Sequence, residues 1–271
     1  MRAVSEYAEE ESEVAFPVIN MEGSAGTVGL EDLNERPADG YNIGMVHDGL
    51  MVAHHTDVTD LNYDDFQPLA GLAETPQILA ASADAPFDTF EEFEEYFQEN
   101  PGEVDIGTTL QGIAHVWAEQ LADQLDSEFN YVGYEGLGEA IQATAGGHVD
   151  VTITDYPSAS EFVEAGDMKF LASGTEEPME EIPETPTFSD YGYELDFLLI
   201  RGIVGPEGME EEHVAALEDI FERVSENEGF QEELDNLGME ATFLDSEEFE
   251  THLSQQDEMV IEVVDDILDE E

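Results

Sequence analysis

Residues 107–112 are mostly small or polar and lie between an apolar stretch and a helix-like pattern, which is the composition of an anion-binding loop. The first N–H groups of a helix have no partner within it, and together with the helix dipole they favour a negative charge. Two threonine hydroxyls add donors, and glycine lets a ligand approach the backbone closely. The candidate ligand-binding residues of this loop are Gly107, Thr108, Thr109, Gln111 and Gly112.

The same loop has a simpler interpretation. An ordinary glycine turn, with Thr108 or Thr109 capping the helix, is favoured when the local sequence is considered alone. The loop lacks the lysine of a P-loop, and its glycines do not have the GxGxxG spacing of dinucleotide sites. It is therefore not a nucleotide-binding motif.

Polar residues also follow three other predicted strands. They are Asp48 with Gly49, Tyr134 with Glu135, and Asp155. In open α/β sheets ligands bind beyond the carboxyl ends of the strands, so these loops form the expected binding rim.

The acidic residues of these loops could instead work as general acids or bases. No nucleophile with a matched base accompanies Asp48, Glu135 or Asp155. Ser24 lies in a glycine-flanked segment, but the strand before it is too short for a nucleophile elbow. We expect no catalytic residue and predict a binding protein rather than an enzyme.

The histidines do not form a metal-binding pattern. His47, His54 and His55 have spacings that match no defined ligand set, and we predict them to be solvent-exposed. Neither a metal site nor a cofactor is expected. His115, one turn into the helix after residues 107–112, could pack against the loop or contact a ligand. Arg201, in an apolar stretch, is expected to pair with a buried carboxylate.

The composition is extremely acidic. Of 271 residues, 69 are Asp or Glu and 5 are Lys or Arg, so the formal net charge is −64. Because 41% of the residues are hydrophobic, we predict a folded protein of the halophilic, acidic-proteome type. Its charge repulsion would be screened at high salt, where the Debye length is about 3 Å at 1 M. This charge excludes nucleic acid as a partner.

Strand and helix patterns alternate along the chain, which predicts an α/β fold. Residues 15–19 are expected to form a short strand, and residues 195–204 another strand that only helices follow. Asp245 and Glu248 have the spacing of a capping box for the last helix. No apolar run approaches the roughly 20 residues of a membrane span, and no cysteine is present.

Several segments, taken in order, resemble the substrate-binding component of tripartite tricarboxylate transporters, the TctC or Bug family. The similarity covers nearly the whole chain. The segments are RPADGY (36–41), FQPLA (66–70), PGEVDIGTT (101–109), AGGHVD (145–150), PSA (157–159) with EAG (164–166), and IPETPT (182–187).

The resemblance implies a bilobal, type II periplasmic-binding-protein-like α/β fold, with two lobes joined by hinge strands. Lobe 1 is expected to comprise residues 1–102 and 201–271, and lobe 2 residues 103–200. The hinge is expected near residues 102–104 and 199–202. A carboxylate would be held between the lobes by donors of residues 107–112. The other polar loops would line the same cleft.

The resemblance also implies a partner and a location. We expect a monomeric receptor at the cell surface that captures a tricarboxylate, dicarboxylate or aromatic acid for the membrane subunits of a transporter. Family members begin with an export signal or lipid anchor, a strand and a glycine-rich loop, ahead of the helix that starts here at Met1. This difference favours a start with residues missing upstream. The alternatives are an acid/base enzyme in the same cleft and a truncated sensor or interaction module.

Overall fold

The computed structural model describes residues 1–12, 14–21 and 26–269, which contain ten α-helices and nine β-strands. The helices are α1 (Arg2–Ser12), α2 (Thr27–Asn34), α3 (Gly49–His55), α4 (Phe90–Glu99), α5 (Ile113–Gln124), α6 (Leu137–Ala145), α7 (Tyr156–Ala165), α8 (Glu211–Glu226), α9 (Glu228–Asn236) and α10 (Ser246–Asp269). The strands are β1 (Gly44–His47), β2 (Phe66–Pro76), β3 (Ile78–Ser82), β4 (Asp105–Thr108), β5 (Asn130–Gly133), β6 (Val151–Thr154), β7 (Met168–Ser173), β8 (Leu198–Pro206) and β9 (Glu240–Leu244).

The chain divides into two compact units. Unit 1 comprises Met1–Thr75 and Leu199–Ile261, and unit 2 comprises Pro76–Leu198 and Glu262–Glu271. Each unit contains one sheet, and the predicted α/β class is confirmed.

Unit 1 is built on a four-stranded sheet with the order β1-β8-β2-β9. Strand β1 pairs with β8 in antiparallel register, from Gly44 opposite Val204 to His47 opposite Arg201. Helix α8 buries Leu217, Phe221 and Val224, which recur at the spacing of one helical face and pack with side chains of α1, α9 and β2. Apolar burial against the sheet therefore holds these helices in place.

Unit 2 contains the five-stranded sheet β5-β4-β6-β3-β7. Strand β4 runs parallel to β5 and β6, whereas β3 is antiparallel to β6 and β7. The loops that follow β4, β5 and β6 therefore leave the same edge of the sheet, which we call the carboxyl edge.

The boundary between the units differs from the prediction. The sequence placed it after residue 102, whereas the structure places it between Thr75 and Pro76. Residues 76–102 belong to unit 2 because β3 pairs with β6 and β7, and because Phe90 and Phe97 of α4 pack against Phe188 and Phe129. The helical spacing of the phenylalanines indicates a helix, but it does not indicate which of the two hydrophobic cores they pack into.

Two predictions of secondary structure are wrong. Residues 15–19 form no strand, and the backbone of Phe16 instead bonds to the side chains of Glu9 and Ser5 in α1. The region after β8 is not wholly helical, because β9 pairs with β2. The Asp245–Glu248 capping box is confirmed, with the Glu248 N–H 2.9 Å from Asp245 Oδ1. Among residues 1–12, 14–21 and 26–269, no helix has the length and hydropathy needed to span a membrane.

Candidate functional site

The predicted anion loop connects β4 to α5 at the carboxyl edge of unit 2. Its turn is closed by the Gly112 N–H, which donates to the Thr109 carbonyl at 3.0 Å. Gln111 has a φ of +57°, in the left-handed region that residues other than glycine seldom adopt. Gly112 occupies the N-cap position of α5, and no side chain caps this helix. The simpler interpretation, with Thr108 or Thr109 as the cap, is therefore wrong.

The Thr108 hydroxyl is the most informative atom of the loop. Thr108 is only 3% exposed, and its Oγ1 has no hydrogen-bond partner in the described part of the chain. By contrast, the buried Thr152 hydroxyl of β6 donates to the Gly107 carbonyl at 2.8 Å. Buried polar atoms usually have a partner, whereas Thr108 Oγ1 is one of the buried side-chain atoms whose hydrogen-bonding capacity is unused within the described residues.

Sheet pairing brings the other unit 2 candidates to the same edge. Thr108 lies opposite Gly133 in the parallel β4–β5 pair, and the Tyr134 N–H donates to the Thr108 carbonyl at 2.8 Å. The Tyr134 ring lies against Gly107, where an added Cβ would be 3.2 Å from the ring. Glu135 follows on the surface. The predicted residues after β4 and β5 are therefore neighbours.

Asp155 follows β6 at this edge and has a structural bond. It is the N-cap of α7, and its Oδ1 accepts the Ser158 N–H at 2.9 Å. Pro157 follows in the first turn of α7. One carboxylate oxygen of Asp155 is thus used to cap the helix that follows the loop.

Unit 2 itself brings no lysine or arginine to the described part of its carboxyl edge. Lys169 is the only Lys or Arg in unit 2, and it lies opposite Ala81, towards the other end of β3 from the Ile78–Thr154 pair. Its Nζ is 2.8 Å from Asp88 Oδ1. Unit 2 itself therefore offers an anion at this edge only neutral donors and the helix dipole.

The two predicted residues of unit 1 are tied into their own unit. Asp48 is fully buried, with Oδ2 accepting the Ile200 N–H at 3.0 Å and Oδ1 lying 2.9 Å from His252 Nε2. The Gly49 N–H donates to His47 Nδ1 at 3.0 Å. These bonds join β1 and α3 to β8 and α10. His252 was missed because nothing local connects it with Asp48.

The prediction of exposed histidines is wrong. His47, His54 and His55 flank the buried middle of α3 and are themselves half-buried. Burial lowers the pKa of His47, although the nearby Asp48 acts in the opposite direction. His55 Nε2 lies 2.7 Å from Asp257 Oδ1 in α10. Within the part of the chain that the structure describes, no three His, Asp or Glu side chains are placed to hold a metal ion.

Arg201 lies in β8 of unit 1. The sequence predicted that it pairs with a buried carboxylate. In the structure one of its guanidinium N–H groups donates to Thr75 Oγ1 at 2.7 Å, so it binds β2 next to the unit boundary.

The sequence profile of one family, described as the tripartite tricarboxylate transporter family receptor (TctC), matches residues 1–267. The chain belongs to this family. The predicted resemblance is thus confirmed, and TctC-family proteins are solute-binding receptors. A similar protein of Cupriavidus necator, named UPF0065 protein in gbd 5′ region, is 28% identical over 243 residues, which is 86% of this chain and 72% of that protein.

Solved structures of TctC-type proteins have the same fold. A TctC solute-binding protein from Polaromonas, solved without ligand, has a TM-score of 0.89 at 21% identity, covering 98% of this chain and 92% of that one. An R. palustris protein solved with adipate has a TM-score of 0.75 at 21% identity, over 98% and 91% of the two chains. MatC from Rhodopseudomonas palustris, with bound malate, has a TM-score of 0.71 at 21% identity, over 96% and 92%.

Proposed function

We propose that this TctC-family chain is an extracytoplasmic receptor that binds a carboxylate group of a small organic acid at the carboxyl edge of unit 2. It would then deliver the acid to the membrane subunits of a transporter. The observation that carries this proposal is the buried Thr108 hydroxyl, which has no partner in the described residues and ends the strand whose loop leads into the uncapped start of α5.

A carboxylate suits these donors. It accepts several hydrogen bonds at once, and a helix N-terminus offers N–H groups together with a favourable dipole. We assign the hydroxyls of Thr108 and Thr109 and the backbone of Gly107, Gln111 and Gly112 to this group. The adipate and malate in the two R. palustris structures are small acids of the class proposed. Tyr134 and Glu135 would form the rim beside the bound acid.

The proposal involves no chemical step. The Asp155 carboxylate, the strongest candidate for acid/base catalysis, caps α7, which gives it a structural role. Conversion of a bound acid in a turnover assay would support the enzyme alternative. Asp48 and Gly49 stay candidates predicted from the sequence, and their bonds within unit 1 support a structural role.

The test is calorimetric titration of the purified protein in multimolar KCl with adipate, malate, citrate and benzoate. We expect at least one acid to bind, and Thr108→Val to weaken its binding by about tenfold or more because one donor is lost. The same variant should unfold at the same temperature as the wild type or slightly above it, because the hydroxyl that is removed forms no bond in the described structure.

Thr144→Val is the matched control. Thr144 is equally buried, but its hydroxyl donates to the Ala140 carbonyl within α6. This variant should lose some stability and keep the wild-type affinity. Binding of none of the acids by the wild-type protein, or equal affinities of Thr108→Val and the wild type, would contradict the proposed site.

A further inference from the structure

We propose that His115 is a positioning residue for the carboxylate site, acting as a neutral hydrogen-bond acceptor that fixes the conformation of residues 109–112. This inference rests on the proposed function, but its central contact lies within unit 2 and is measurable without a ligand. His115 is fully buried in α5, and its Nδ1 lies 3.2 Å from the Gln111 backbone N–H.

The bond acts at the least favourable backbone position of the loop. Gln111 has positive φ, which is unfavourable for a residue with a Cβ. An acceptor for its N–H stabilises this conformation against the alternatives. Because the turn ends where α5 begins, the same bond determines the direction in which the first N–H groups of the helix point. A donor set fixed in advance loses less entropy when it binds a ligand.

The surroundings of the ring specify its protonation. Since Nδ1 accepts a hydrogen bond, the proton of the neutral ring is on Nε2. The carboxylate of Glu119 lies 3.8 Å from Nε2, which favours a proton on that nitrogen. The Tyr131 ring packs against His115 with 4.4 Å between the ring centroids. Burial lowers the pKa of His115 to about 4, so the ring is neutral at pH 7.

Two substitutions distinguish the effect of losing the hydrogen-bond acceptor from the effect of losing the aromatic ring. His115→Asn keeps an acceptor near the position of Nδ1, whereas His115→Phe keeps an aromatic ring against Tyr131 and removes the acceptor. In calorimetric titrations of the acid that the wild type binds, His115→Asn should stay within about threefold of the wild-type affinity. His115→Phe should be weaker by about tenfold, corresponding to one lost buried acceptor.

Nuclear magnetic resonance of the ligand-free protein provides the second readout. The ring nitrogen shifts should identify the Nε2–H tautomer. The amide resonances of Gln111, Gly112 and Ile113 should move in His115→Phe and return towards the wild-type positions in His115→Asn. If the wild type binds none of the acids, the proposed function fails, while these ligand-free spectra still decide the role of His115.

Three results would overturn the inference. They are an Nδ1–H tautomer in the wild type, unmoved loop amides in His115→Phe, and equal loss of affinity in both variants at unchanged stability.

Discussion

Two loops with similar sequence patterns differ in their hydrogen bonds. In unit 1, the loop after β1 contains Asp48, whose two carboxylate oxygens meet the Ile200 N–H and His252. In unit 2, the loop after β4 follows Thr108, whose hydroxyl has no partner in the described residues. Both residues are buried, and both loops end a strand and begin a helix.

The difference teaches how to separate structural from binding residues when both are polar and buried. A buried group whose hydrogen bonds are complete within its own unit contributes to folding. A buried group at a loop with unused hydrogen-bonding capacity is a candidate for binding a ligand. On this basis we propose a structural role for Asp48 and a binding role for Thr108, and three measurements on the unliganded protein test hydrogen bonds and burial in and beside these two loops.

The largest effect is expected from Asp48→Ala. Removing this carboxylate leaves the buried Ile200 N–H and His252 without their partner, which should lower the free energy of unfolding by about 3 to 5 kcal/mol. Denaturant unfolding in multimolar KCl measures it. Asp60→Ala is the control, because Asp60 is an exposed aspartate of the same unit. If Asp48→Ala changed the free energy of unfolding by less than about 0.5 kcal/mol, the structural role of Asp48 would be contradicted.

The next largest effect is a dependence of the stability on pH that arises from His115. Its folded-state pKa of about 4 lies below the ordinary value of 6.5 because the ring is buried. The unfolded chain therefore binds a proton that the folded chain does not, so stability is full above pH 6.5 and falls as the pH drops towards 4. This contribution is of order 2 to 3 kcal/mol. His115→Asn should lack it when both proteins are unfolded between pH 7 and 4. If the free energy of unfolding depended on pH in the same way in both proteins, the result would contradict a buried, neutral His115 ring.

The smallest effect concerns Gly49, the other unit 1 candidate. A Cβ here would lie 2.6 Å from Cε1 of His47, so Gly49→Ala should turn the ring, break the Gly49–His47 bond and cost about 1 kcal/mol. Gly138→Ala provides the contrast, because its Cβ would meet no atom within 4 Å inside α6. It should stabilise the protein by up to about 1 kcal/mol. Thermal unfolding of the two variants should therefore show shifts of opposite sign.

The sequence predicted best what depends on neighbours in the chain. The strand, glycine loop and helix around residues 107–112 follow from local patterns, as does the capping box of Asp245 and Glu248. The contact between Asp48 and His252 spans 204 positions, and no local pattern reports it. Strand β9 was missed because its residues are only half-buried and lack clear alternation. The burial of Thr108 could not be predicted from the sequence, because it depends on how the sheet packs in the folded protein.

The position of Lys169, away from the carboxyl edge, has a kinetic consequence. Unit 2 brings no lysine or arginine to that edge and the net charge is −64, so an approaching anion meets long-range repulsion before any donor of this unit reaches it. Dipoles attract only at short range, whereas dissolved ions screen the repulsion over the whole path. Salt would thus govern how often an acid reaches the edge, and the hydroxyl and amide donors would govern how long it stays.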